Sequence, residues 1–167
     1  MARSLLTTGQ RRTPAAVQNR YRLDRAIEPR AYAIELEPDL SRFTFKGHER
    51  ITIHPARPFS KITLHAAELL ITKAVLRSAT GTPLRANHIT YEKALETATL
   101  HFSSRLPAGR ELTLELDFEG ILNDKMHGFY RTSYQVNGQQ RWGAATQFEA
   151  TDARRSEEHT SELQSQR

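Results

Sequence analysis

From Tyr21 onward, apolar side chains recur at every second position in short runs, broken by Pro, Gly, Asp and Asn. No stretch shows the three-to-four spacing of an amphipathic helix. Alternation puts successive side chains on opposite faces of an extended backbone, so each run reads as a half-buried strand. Tyr32, Ile34 and Leu36 alternate with Ala33, Glu35 and Glu37 ahead of a Pro38-Asp39 turn signal. Phe43, Phe45, Gly47, Glu49, Ile51 and Ile53 then form one face of a second strand, with Thr44, Lys46, His48, Arg50, Thr52 and His54 on the other. The two runs predict a hairpin connected by residues 38–42. Ile62 and Leu64 mark a short strand. Residues 69–77 and 84–91 flank a Gly81-Thr-Pro83 turn as a second hairpin, and 97–102 and 112–118 flank Leu106-Pro-Ala-Gly109 as a third. Last, residues 128–134 and Arg141-Trp142 enclose Asn137-Gly138, a pair that favours a type I′ turn because both residues tolerate positive φ. Seven or eight strands at this spacing predict an all-β fold, a sandwich or a large curved sheet.

With 167 residues the chain has room for one domain with a real core. Residues 21–155 carry the strand pattern. Residues 1–20 are polar and basic without an apolar period, and read as a flexible leader. Residues 156–167 are polar, with Leu163 as the sole sizeable apolar side chain, and read as a disordered tail. The net charge is +5, and residues 1–30 hold all of it, with seven basic and two acidic side chains. The body is neutral, so no nucleic-acid partner is expected, since a phosphate-binding face needs basic excess on the folded surface. No apolar run approaches the ~20 residues that span a bilayer, and no membrane partner is expected. Cysteine is absent, which removes disulfides and thiolate ligands and suits a reducing, cytoplasmic compartment.

Motifs of catalysis are sparse. The nearest string to the His-Glu-x-x-His zinc helix is His48-Glu49-Arg50-Ile51-Thr52. It has Thr where the second imidazole belongs, and it falls in a period-two run where positions i and i+4 cannot share a metal. An exposed strand histidine is the simpler reading. There is no Gly-x-Ser-x-Gly elbow and no phosphate-cradling glycine loop. No catalytic residue, metal ligand or cofactor is assigned to this chain. What stands out is Thr146-Gln-Phe-Glu-Ala-Thr-Asp-Ala-Arg154, in which Gln147 and Glu149 are two apart. In an extended segment both point to one side, with Phe148 turned away. A carboxylate beside an amide oxygen suits an ammonium group. A polar strand end facing water has the same pattern, and the residues alone leave both readings open.

Three ordered segments carry a family resemblance. Tyr21-Arg-Leu-Asp-Arg-Ala-Ile-Glu-Pro-Arg30, continuing to Leu40, is similar to the opening of aminopeptidase N-type (gluzincin) zinc enzymes, with Asp24 where Pro is frequent. Met126-His-Gly-Phe-Tyr-Arg-Thr132 resembles the family's Met-x-Gly-Phe-Tyr-Arg-Ser, and Thr146–Arg154 its Thr-Gln-Phe-Glu-x-x-x-Ala-Arg. The resemblance covers residues 21–155 and implies an N-terminal curved β-domain packed against a catalytic domain. It implies that Glu149 binds the free α-amino group of a peptide, that Gln147 helps line the first-residue pocket, and that Arg154 is structural. Phe129, Tyr130 and Trp142 are expected in the core or an interface. Zinc, the peptide N-terminus as partner and the catalytic domain then belong to a parent enzyme. After Arg154 the chain departs from the family's usual continuation, and residues 156–167 resemble a translated sequencing adaptor. The expectation is a truncated piece, inactive alone; the alternative is a stand-alone β-sandwich that binds through the faces of 43–54 and 128–142.

Overall fold

A computed structural model describes residues 23–147. The leader 1–20, Glu149, Arg154 and the tail 156–167 lie outside the described residues, as do the ends of the 21–155 domain. Ten strands follow in order: β1 (Ile27–Asp39), β2 (Thr44–Pro55), β3 (Phe59–His65), β4 (Leu70–Arg77), β5 (Leu84–Arg85), β6 (His88–Glu92), β7 (Thr97–Leu106), β8 (Leu112–Ile121), β9 (Gly128–Val136) and β10 (Gln139–Gln147). The described residues contain no α-helix, only a 3-10 turn at Lys93–Leu95. No helix among them is long and apolar enough to cross a membrane.

Pairing is antiparallel throughout the strands. One sheet runs β1-β2-β8-β4-β5, a second β3-β7-β6, and β9-β10 form a separate two-stranded ribbon. The two larger sheets bury their apolar faces in one cluster, with Ile51, Leu114 and Phe118 on one side and Leu64, Ala98 and Leu100 on the other. The all-β sandwich expected from the alternation is therefore present.

The expected β1–β2 hairpin forms, with its ladder closing at Asp39↔Thr44. Its turn is organised by Asp39, whose carboxylate accepts from Ser41 Oγ (2.6 Å), Arg42 Nε (2.7 Å) and the amides of Ser41 and Arg42. These bonds, Ser41's first, hold its carboxyl far below the ordinary aspartate range. Phe43 departs from the expected strand face. It sits in the turn at φ +54, a left-handed conformation that costs a bulky residue free energy.

Two expected hairpins are corrected. Residues 84–91 do not form one strand against β4. The β4–β5 ladder has two residue pairs, and the chain then changes sheets, with Ala86 N donating to Ala74 O (3.0 Å) and Asn87 N to His101 O (2.7 Å). Strands that switch sheets in this way make the corners of sandwiches. β7 and β8 do not pair at all. β7 lies between β3 and β6, and β8 between β2 and β4. Both bury one apolar face, and those faces meet across the core rather than side by side. The Leu106–Gly109 turn carries the chain between layers, with Gly109 at φ +72 and its amide donating to Pro55 O at 2.9 Å.

Where β2 meets β8, two glycines stand opposite two phenylalanines: Phe45↔Gly120 and Gly47↔Phe118. A Cβ on Gly47 would fall 2.2 Å from the Phe118 ring, and one on Gly120 would fall 2.4 Å from the Phe45 ring. The far end of each ring therefore fills the space over the opposite glycine.

The outer face of the same sheet holds a hydrogen-bonded triad. His48 Nδ1 and Asp117 Oδ1 share a 2.6 Å hydrogen bond, and Lys73 Nζ donates to Asp117 Oδ2 at 3.0 Å. His48 is thus half-buried and partnered, not the exposed histidine expected. The His48 bond draws the Asp117 carboxyl below its usual range; burial opposes it, and the bond and charge of Lys73 add to the lowering. A carboxyl depressed on folding stabilises fully above its unfolded value of ~3.9, and that contribution is lost as pH falls through the folded value. The denaturant midpoint is therefore expected to drop less between pH 7 and pH 3 in Asp117→Asn than in the parent chain. Equal drops would take Asp117 out of the acid response.

Candidate functional site

The ribbon is built by its turn. Asn137 and Gly138 adopt φ +53 and +75, the type I′ geometry that matches the strand twist. The ladder runs from Gln139↔Val136 to Gln147↔Gly128. Its tip is therefore the turn, and its root is where β9 begins and β10 ends.

Alternation splits the ribbon into two faces. The inward face meets the five-stranded sheet. Phe129 is buried edge-on against Phe45, with ring centres 5.1 Å apart at 76°. Trp142 meets Phe43 edge-on at 5.0 Å and 70°, and Ala144 packs against the core. Arg131 lies on this face too, opposite Ala144. Its guanidinium sits 4.6 Å over the Phe43 ring, donates to Leu122 O at 3.0 Å, and pairs with Asp124 at 3.0 Å. The outward face carries Tyr130, Tyr134, Arg141, Ala145 and Gln147, all of the same parity in the ladder.

Gln147, the residue expected to line a first-residue pocket, ends β10 at the ribbon's root. It is exposed, on the outward face, opposite Gly128, a buried residue at φ +66. Its amide side chain has no partner among the described residues. Glu149 lies outside them, so the expected pair is described at one member only. Of the residues expected in the core or an interface, Phe129 is buried and Tyr130 is half-buried on the outward face. Trp142 rests on Phe43 while keeping 39% of its surface exposed. Sequence reasoning passed over Arg131, Asp124 and the docking role of Phe43. The usable signal was a cation two residues after Phe129, hence on the same strand face as a buried ring.

The described residues do not fit a metal. No group of three His, Asp or Glu side chains among them is close enough to share an ion. In the His48-Glu49 string, the two side chains stand on opposite faces of β2, with His48 at Asp117 and Glu49 buried.

Comparison with known proteins adds the family. Residues 28–157 match the family model described as the Peptidase M1 N-terminal domain. Aminopeptidase M1-C of Oryza sativa subsp. japonica is 38% identical over 134 residues, covering 80% of this chain and 15% of that protein. Aminopeptidase 2 of Candida albicans is 36% identical over 138 residues, 83% of this chain and 14% of the relative. The puromycin-sensitive aminopeptidase of Caenorhabditis elegans is 34% identical over 142 residues, 84% and 15%. The chain thus spans about 15% of the length of these relatives.

Proposed function

Because the chain belongs to the Peptidase M1 N-terminal domain family, we propose that it is the amine-recognising N-terminal part of a zinc-dependent aminopeptidase that removes N-terminal residues from peptides. The observation that carries this reading is Gln147, an exposed amide at the anchored root of a ribbon, two positions before Glu149 in the Thr-Gln-Phe-Glu segment. In this reading the segment continues extended past Gln147, and the two-residue spacing puts the Glu149 carboxylate on the same side as the amide. The zinc and the residues that hold it belong, in this proposal, to the remainder of the parent protein, as does the domain against which the outward face of the ribbon would close. The absence of cysteine favours a cytoplasmic enzyme.

The physical rule is one of exchange. A carboxylate that loses water when a cleft closes is stable only if a positive group takes the water's place. A peptide's α-ammonium supplies that group, and an acetylated peptide does not. Blocked amines are thereby rejected without a steric gate. The amide oxygen of Gln147 offers a second acceptor, which fixes the direction of the ammonium protons.

The test uses the full-length parent protein. It is expected to release amino acids from aminoacyl arylamides and to refuse their N-acetyl forms. Glu149→Gln should weaken binding of the free-amine substrate by about 2 kcal/mol, roughly thirtyfold. Unchanged kinetics in that variant would remove Glu149 from amine recognition.

A further inference from the structure

We infer that Arg131 is the positioning residue of this site: it fixes the root of the β9–β10 ribbon on the five-stranded sheet and so sets where β10 presents Gln147. The inference rests on the amine-recognition reading above and adds to it the group that gives the site its geometry.

A two-stranded ribbon is marginal by itself. Among the described residues this one shares no strand ladder with either larger sheet, and its one backbone bridge to the body is Asn123↔Tyr130. Its orientation therefore depends on what its inward face touches. Phe129 against Phe45 and Trp142 against Phe43 are ring contacts, which hold the ribbon down but tolerate sliding and tilt. The contacts of Arg131 are directional. The guanidinium carbon sits 4.6 Å over the centre of the Phe43 ring, and two bonds of 3.0 Å, to Leu122 O and Asp124 Oδ2, fix its direction. A ring on one side and two bonds to different oxygens leave a rigid, planar fork little freedom to rotate.

Its partners are themselves braced. Asn123 donates through Nδ2 to His127 O and accepts from Lys125 N, each at 2.8 Å. The Arg131 amide donates to Asn123 O at 2.9 Å. Arg131 stands opposite Ala144, three residues before Gln147, and the ladder is unbroken between them. The clamp thus acts at the root, where a small tilt moves Gln147 directly, rather than at the distant tip.

Lysine keeps the charge but has no plane to stack and no fork to bond two oxygens. The test compares Arg131→Met, Arg131→Lys and Asp124→Asn in the full-length parent protein, with KM and kcat for an aminoacyl arylamide and urea midpoints measured for each. Arg131→Met is expected to raise KM about tenfold with kcat falling far less, and Arg131→Lys to recover part of that loss. Asp124 is exposed, so Asp124→Asn should fold normally and raise KM by about threefold; it carries the test if Arg131→Met does not fold. A purely structural Arg131 would lower the urea midpoint and the yield of active protein while KM stayed at the parent value in all three variants, and that result would overturn the inference. Glu149→Gln separates the two levels. If it leaves KM unchanged, the amine-recognition reading fails; if it raises KM while Arg131→Met and Asp124→Asn do not, only the positioning role fails.

Discussion

Phe45→Ala is expected to lower the unfolding free energy by about 3–5 kcal/mol and to loosen the ribbon before the rest of the fold. Phe45 is 3% exposed and lies between three partners. Gly120 faces it across the strand pair, Phe118 meets it edge-on at 6.4 Å, and Phe129 meets it edge-on at 5.1 Å. Deleting the ring leaves a void over Gly120, which has no side chain to relax into it. It also takes away the surface on which Phe129 docks. The chain has one tryptophan, and Trp142 rests on the ribbon's contact with Phe43. Its emission therefore reports the ribbon, while far-UV circular dichroism reports all the strands. In the parent chain the two urea transitions should coincide. In Phe45→Ala the tryptophan transition should come at lower urea. A loss under about 1 kcal/mol, or transitions that still coincide, would show that the ribbon is held by something other than this ring.

Gly47→Val should be nearly as damaging, about 3 kcal/mol, at the upper end of what overpacking ordinarily costs. In an ordinary strand, replacing glycine by a β-branched residue stabilises, because glycine loses the most entropy on folding and packs nothing. Here the sign reverses. The new Cβ would stand 2.2 Å from a ring that is itself only 4% exposed, packed in the core. The measurement is a double-mutant cycle with Phe118→Ala. Removing the ring should relieve the clash, so the double variant should be more stable than the sum of the single losses predicts. Additive losses, or a stabilised Gly47→Val, would mean that the ring and the glycine do not meet.

Much of this fold was legible because it is local. The β1–β2 hairpin needs nothing beyond the Pro38-Asp39 signal and two alternating runs, and the ribbon needs only Asn137-Gly138 between strands. Pairing between distant strands was not legible. Leu106-Pro-Ala-Gly109 signals a chain reversal, and a reversal has the same chemistry whether the next strand lies beside its predecessor or crosses to the facing layer. What decides is that β8 fits between β2 and β4, on residues 36 to 77 positions upstream. Phe43 was misplaced for a related reason. It keeps the strand's parity, yet its ring is claimed by Arg131 and Trp142, 88 and 99 residues later. At the candidate site, the two-residue spacing of Gln147 and Glu149 was visible as a pattern, and the resemblance supplied its chemical meaning. The root that carries Gln147 was not visible, because Arg131, Asp124 and Leu122 come together only when the ribbon docks.

The glycine–phenylalanine pairs also answer how two strands so far apart choose their alignment. A hairpin's turn dictates which residues face each other; β2 and β8 have no such turn between them. The pairs act instead as two pins of opposite sense in a keyway, ring over gap on one strand and gap under ring on the next. Shift the strands two residues one way and Phe45 would oppose Phe118; shift them the other way and Gly47 would oppose Gly120. One misalignment jams and the other leaves a hole, so volume alone selects the native setting, and no slower search through equally good alignments is needed once β8 arrives.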